Sequence, residues 1–359
     1  MFTIFVTGNN FMRPESIAGE IAERYGSKYA LDVRTLRFEN VPAPAFPVYD
    51  ETLVPSGMSI EDPNVPKAPC AGIREYYGDP LALLGKLDDV DMLVMYGNGL
   101  PRTVIESAPR LKCVVAMRGG PVNVDRACLE ERGIPLHNTP GRNATGVAEL
   151  TIGMLLNLMR HLCELNHSLK AGVWTLKYNR YETVGTELHG KRVGLIGFGK
   201  IARHLCRILN GFESEVVVFD PFVAEAEVRA AGAAPQPLAE LLKTSDIVSL
   251  HARINRGDPP IVGAQELAMM KPTAILANTA RGMLLDYRAL KDSLERGEIG
   301  GAVLDVYGDE PFKLYREIVA LPNVFGTSHT GGVTKEAAMR GTRQTVKLVG
   351  ELLEKYAAP

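Results

Sequence analysis

The stretch that decides the fold is "RVGLIGFGKIARHL", residues 192–205. An aliphatic run stops at Gly197-x-Gly199-x-x-Ala202, and a helical pattern takes over from there. In a strand–turn–helix unit of this kind the first glycine allows the tight turn, and the second lets backbone approach a pyrophosphate. The third position asks only for a small side chain at the helix–strand contact, which Ala202 supplies. Amides near Lys200 and Ile201, at the start of the helix, can then hold phosphate oxygens with help from the helix dipole. The next strand-like run, "VVVFD", ends in Asp220, 23 positions beyond Gly197. An acid there hydrogen-bonds ribose hydroxyls and repels a 2′-phosphate, so the pair of motifs points to NAD over NADP.

Outward from that turn the pattern is regular. "EVVVFD", "DIVSLHA", "AILANTA", "GAVLDVY" and "VFGTSH" alternate with helical or loop segments. That alternation implies an α/β fold with a doubly wound parallel sheet covered by helices on both faces. Upstream, "FTIFVTG", "DVRTLRFE", "DMLVMYG" and "LKCVVAMRG" read as strands, with a helix over 14–26. Between them residues 40–69 are rich in proline and read as a long surface loop. "VAELTIGMLLNLMRHLCELNHSLK" (147–170) predicts one long helix, and residues 334–359 predict an amphipathic one. Glu149, Arg160 and Glu164 inside the former argue against a membrane span.

Bulk properties narrow the classes. The chain has 359 residues, 46% of them hydrophobic, which suggests two domains of an ordinary globular protein. A net charge of −2 gives no global reason to bind nucleic acid or an anionic membrane. The five cysteines form no CxxC pair, so neither a disulfide framework nor a metal site is expected, and a reducing, cytoplasmic setting suits them.

Three strand ends carry residues suited to chemistry: "LANTARGMLLD" stops at Arg281, "AVLDVYGDEP" delivers Asp305 and then Glu310, and "FGTSHTGG" delivers His329. Ligands of open α/β sheets bind at the carboxyl ends of strands. Hydride transfer between a 2-hydroxy acid and NAD asks for a group to take the hydroxyl proton, a role that suits His329. It also asks for a cation to hold the carboxylate and polarise the carbonyl, which suits Arg281. Glu310, hydrogen-bonded to the imidazole, would fix its tautomer and raise its pKa.

These segments, together with "RNATGVAELTIGMLL", "ELHGKRVGLIGFGKIA" and "MKPTAILANTARG", resemble the D-isomer-specific 2-hydroxyacid dehydrogenases, most of all the phosphoglycerate dehydrogenase branch. The resemblance implies two Rossmann-like domains: a substrate domain formed by 1–140 and completed by 325–359, and an NAD-binding domain over 141–324. It implies Arg281 as substrate anchor, Glu310 with His329 as the acid–base pair, and nicotinamide or ribose contacts from Thr279, Ala280, Asp305, Gly331 and Gly332. It places the 147–170 region in a homodimer interface. The substrate loop departs from the family's form: "MRGGPVNVD" (117–125) is shorter, yet Gly119 and Gly120 can present amides to a carboxylate, with Arg118 just before them. "MYGNGLP" stands where the phosphoglycerate enzymes have an arginine–serine element, and Ser328 precedes His329 where proline is usual. With the 40–69 loop, and with Lys177 and Arg180 in "VWTLKYNRYE", the expectation is a polar, sugar-derived substrate, phosphorylated or not. Phosphoglycerate dehydrogenase and hydroxypyruvate or glyoxylate reductase stand beside that reading. From another class, so does an NAD(H)-sensing binding protein without catalysis.

Overall fold

The computed structural model describes residues 1–38, 73, 76, 79–254, 258–308 and 316–357. The proline-rich segment 40–69 and Glu310 lie outside the described residues. Two compact units emerge, one formed by 1–142 with 333–359 and the other by 143–332.

In the first unit five parallel strands form one sheet: β1 (Phe2–Gly8), β2 (Leu31–Arg37), β3 (Met92–Met95), β4 (Cys113–Ala116) and β5 (Leu136–Asn138), in the order β2-β1-β3-β4-β5. The period-two geometry of a strand sends alternate side chains to opposite faces. Met92 and Val94 therefore join Ile17, Ile21, Val346 and Leu353 on one face. Leu93 and Met95 join Val104, Ile105 and Leu129 on the other. With both faces covered, β1 is buried along its whole length, as an apolar run in a parallel sheet should be. The C-terminal helix Lys335–Tyr356 starts at Thr334, whose hydroxyl accepts from the Ala337 amide at 3.0 Å. It lies so close to the helix Pro14–Tyr25 that a Cβ at Gly350 would come within 2.1 Å of the Tyr25 hydroxyl.

The second unit holds seven parallel strands: β6 (Arg192–Ile196), β7 (Glu215–Phe219), β8 (Ala234–Pro235), β9 (Ile247–Leu250), β10 (Ile275–Asn278), β11 (Gly301–Leu304) and β12 (Val324–Gly326). Their order is β12-β11-β10-β9-β6-β7-β8, so the chain reverses its direction of travel across the sheet between β6 and β9. Val193, Leu195, Val216, Ala277 and Val303 point to one face, and Ile196, Val217, Val248, Leu276 and Ala302 to the other.

Two expectations are corrected. The second unit extends to Gly332 and does not stop at 324, because β12 pairs in parallel with β11. The 147–170 stretch is two helices, Ala144–Met159 and Leu162–Lys170. His161 adopts a left-handed φ of 54° and ends the first of them, while Asn157 Oδ1 accepts from the Cys163 amide to start the second. Two short strands, β5 and β8, escaped the pattern reading; β8 has only two residues. Among the described residues no helix is long and apolar enough to cross a membrane.

Candidate active site

The turn after β6 is shaped for a dinucleotide. Gly197 has φ 93°, and a Cβ there would come within 2.6 Å of the Ala252 nitrogen and 2.7 Å of the His251 carbonyl carbon. That close approach joins β6 to β9 at the point where the strand order reverses, the place where open α/β sheets bind ligands. Gly199 precedes the helix Lys200–Gly211, and no side chain caps that helix start. A Cβ on Gly199 would meet nothing within 4 Å, so room is open there, as a bound pyrophosphate requires. Ala202 is fully buried in the helix–sheet contact. The half-buried Asp220 sits at the end of β7 and accepts from the Phe198 amide at 2.7 Å and the Phe222 amide at 2.9 Å. Each oxygen keeps a lone pair for a ribose hydroxyl, and the same carboxylate braces the glycine turn.

Arg281, Asp305 and His329 follow β10, β11 and β12, which are neighbours in the sheet. Strands lie about 4.8 Å apart, so the three positions share one stretch of its carboxyl edge. Arg281 is exposed on extended backbone. The next residue, Gly282, is irreplaceable: a Cβ would overlap the Tyr307 carbonyl oxygen at 1.9 Å. Behind the turn, Asn278 Nδ2 donates to the Arg281 carbonyl at 2.9 Å, and Tyr287 donates its hydroxyl proton to the Val306 carbonyl at 2.5 Å. A buried polar network thus fixes where the arginine leaves the sheet. Thr279 is buried and shares a 2.8 Å hydrogen bond with the Thr151 hydroxyl.

Asp305 has a role the sequence did not disclose. It is 1% exposed, and it accepts from the Thr327 hydroxyl at 2.6 Å, the Thr330 amide at 2.8 Å and the Gly331 amide at 2.9 Å. Its carboxylate therefore grips the chain on both sides of His329, which is half-buried with a left-handed φ of 55°. Gly331 and Gly332 are small for packing reasons. A Cβ on the first would crowd Asp305, Val147 and Leu150, and one on the second would reach Asn143 at 3.0 Å. The only sequence signal for this clamp was a buried acid at a strand end, and its amide partners come from 25 residues later.

Arg118, Gly119 and Gly120 follow β4 in the first unit. Asn138 Nδ2 donates to the Gly119 carbonyl at 3.1 Å and steadies this loop. Lys177 pairs with Glu164 at 2.8 Å, and both it and Arg180 are exposed. No group of three or more metal-ligating side chains occurs among the described residues.

The matching family model is "D-isomer specific 2-hydroxyacid dehydrogenase, NAD binding domain", over residues 152–331. The chain belongs to that family. It is 36% identical to the D-3-phosphoglycerate dehydrogenase of Methanocaldococcus jannaschii over 257 residues, 71% of this chain but 48% of that protein. The chain thus spans about half the length of that relative. It is also 36% identical to the glyoxylate reductase of Pyrococcus furiosus over 259 residues, 71% of this chain and 77% of that one. The D-lactate dehydrogenase of Aquifex aeolicus, solved with NAD and lactic acid, shares the fold at a TM-score of 0.71 and 22% identity, covering 98% of this chain and 96% of that chain. The matched model falls within the second unit, whose glycine turn fits the cofactor.

Proposed function

We propose that the chain interconverts a D-2-hydroxy acid and its 2-oxo acid, with Arg281 and His329 as the groups that meet the substrate. NAD, when bound, accepts or supplies the hydride. Arg281, permanently charged and fork-shaped, holds the substrate carboxylate and polarises the carbonyl. His329 takes the hydroxyl proton during oxidation and returns it to the carbonyl oxygen during reduction. Glu310 is assigned as its carboxylate partner from sequence. Thr279, Ala280, Gly331 and Gly332 are the backbone and small residues assigned to the nicotinamide side, and Asp305 acts through the His329 loop it clamps. Arg118, Gly119 and Gly120 are proposed to bind substrate.

The observation that carries this reading is the grip of Asp305, one strand from Arg281, on both sides of a left-handed histidine. The substrate is proposed to be polar or sugar-derived, with hydroxypyruvate or glyoxylate as the alternative; relatives are named for reducing those two compounds. The experiment is NADH oxidation with hydroxypyruvate, glyoxylate and 2-oxo sugar acids. Turnover of at least one is expected. A protein that binds NADH and turns over none of them would be an NAD(H)-sensing protein instead.

A homodimer is also proposed, through the later part of the expected 147–170 region and the stretch that follows it. The helix Ala144–Met159 is occupied with its own unit's core, whereas Leu162–Lys170 buries nothing and leads into exposed Trp174, Leu176 and Tyr181. Exposed aromatic and aliphatic side chains this dense mark an interaction surface. A reducing, cytoplasmic setting is proposed as well, on the scattered cysteines, of which Cys113, Cys128, Cys163 and Cys206 are free thiols.

A further inference from the structure

The first unit holds a cavity that the proposed reaction leaves unused. It measures about 310 Å³ and lies between the helix Arg126–Glu131 and β5, entirely within that unit. Ligand clefts run from about 300 to 1,000 Å³, so this one takes a small molecule. Leu129 and Ile134, 1% and 6% exposed, give it an apolar wall together with Leu136.

Two opposite charges line it as well, Arg126 and Glu130, one helical turn apart. Side chains at that spacing start about 5–6 Å from one another and can pair across the turn. Here they do not. Arg126 Nε donates instead to the Pro121 carbonyl at 3.2 Å, on the far side of the same cavity. Among the described residues its two Nη atoms meet no acceptor, and the Glu130 carboxylate meets no donor. The charges next to them are matched: Glu131 pairs with Arg102 at 2.7 Å, and Asp125 accepts from the Cys128 amide at 2.9 Å to start the helix.

β5 adds backbone groups. It is the outermost strand of its sheet, and its Pro135 carbonyl and Thr139 amide bond to β4. The alternation of the ladder leaves the amide and carbonyl of Leu136 at the open edge, where a ligand can use them. Asn138, also on the cavity wall, donates to the Gly119 carbonyl, so the cavity adjoins the loop proposed above to bind substrate.

A ligand that satisfies these groups has three parts. It brings an anion for the fork of Arg126, a cation for Glu130 and the Leu136 carbonyl, and an apolar group for Leu129 and Ile134. An α-amino acid carries both charges on one carbon, within reach of side chains one turn apart. We propose that this cavity is a binding site for a free amino acid with an apolar side chain. The site stands on the first unit alone and does not depend on the dehydrogenase reading.

The test is a titration of the full chain with L-leucine, followed by NMR at the methyl groups of Leu129, Ile134 and Leu136. Saturable shifts at these methyls are expected; no shift, or shifts only elsewhere, overturns the site. Three further ligands each lack one part: 3-methylbutylamine the carboxylate, 4-methylpentanoate the ammonium, and glycine the side chain. Each should bind at least about 10-fold more weakly than leucine, the worth of one charge-assisted hydrogen bond or of a buried aliphatic group. N-acetyl-leucinamide has the side chain and neither charge. If it binds as tightly as leucine, the cavity is an apolar or peptide-binding groove and the proposal falls. Arg126→Met and Glu130→Gln change exposed side chains and should fold normally. Each should weaken leucine by about 10-fold. Arg126→Met should also weaken 4-methylpentanoate and spare the amine, whereas Glu130→Gln should weaken the amine and spare the acid. Unchanged leucine affinity in both variants, or an equal loss for every ligand, overturns the assignment. Neither result bears on turnover of 2-oxo acids, so the two readings fail separately.

Discussion

His329 holds a backbone conformation that costs a non-glycine residue about 1–3 kcal/mol, and three hydrogen bonds to Asp305 hold it there. His329→Ala should lower turnover by about 10²- to 10⁴-fold while NADH binding, followed by fluorescence titration, stays largely intact, because only proton transfer is removed. Asp305→Asn puts an NH₂ group where one carboxylate oxygen now accepts protons. That change should cost about 1–3 kcal/mol in the unfolding free energy and lower kcat together with it. A variant that loses cofactor affinity alone would assign Asp305 to NAD and not to the loop. Arg281 and His329 were legible in the sequence because each ends an apolar run, where an α/β sheet displays its chemistry. Asp305 stood out for the same reason, but what it binds could not be read, since hydrogen bonds to amides leave no pattern in side-chain types.

The glycine turn between β6 and its helix depends on two further elements, the ends of β7 and β9. Gly197→Ala would drive a methyl group into the Ala252 backbone at a φ of 93°, so NADH binding should be abolished in a calorimetric titration. Asp220→Ala should relax the preference for NADH over NADPH in kcat/KM and weaken both, because the Phe198 amide loses its acceptor with the carboxylate. At the end of β9, His251 Nε2 bonds the Ser249 hydroxyl at 2.8 Å, Nδ1 is out of solvent, and burial lowers the imidazole from 6.5 to about 4. The unfolded chain thus takes up this proton first. The group's contribution to stability is fully present above pH 6.5 and is lost as pH falls from 6.5 towards 4. The limiting slope is about 1.4 kcal/mol per pH unit, moderated by the residue's remaining exposure. His251→Gln should flatten the fall of Tm over that window. The turn was the most legible element because its spacing is dictated by the backbone. The break at His161 was not, since it interrupts an apolar run that otherwise continues the helical pattern.

Across the whole molecule most of the parallel strands were readable from continuous apolar runs, and β1, β3, β4, β9 and β11 are buried along their whole length. The boundary at 332 was harder, because β12 is only three residues long and its tie to β11 is non-local. The exposed surface at 162–184 predicts a dimer in analytical ultracentrifugation. Leu169→Glu with Trp174→Glu should give a monomer, both side chains being more than half exposed in the single chain, at 58% and 81%. One consequence follows from the chain leaving the first unit at 142 and returning at 333. The second unit is continuous in sequence, so every residue it packs is present as soon as position 332 has been synthesised. The first unit must wait for the final helix, whose Val346, Val349 and Leu353 cover one face of its sheet. On the ribosome, the part made first is therefore the part finished last. Until then part of one apolar face of the first sheet is left for a chaperone or an aggregate to find.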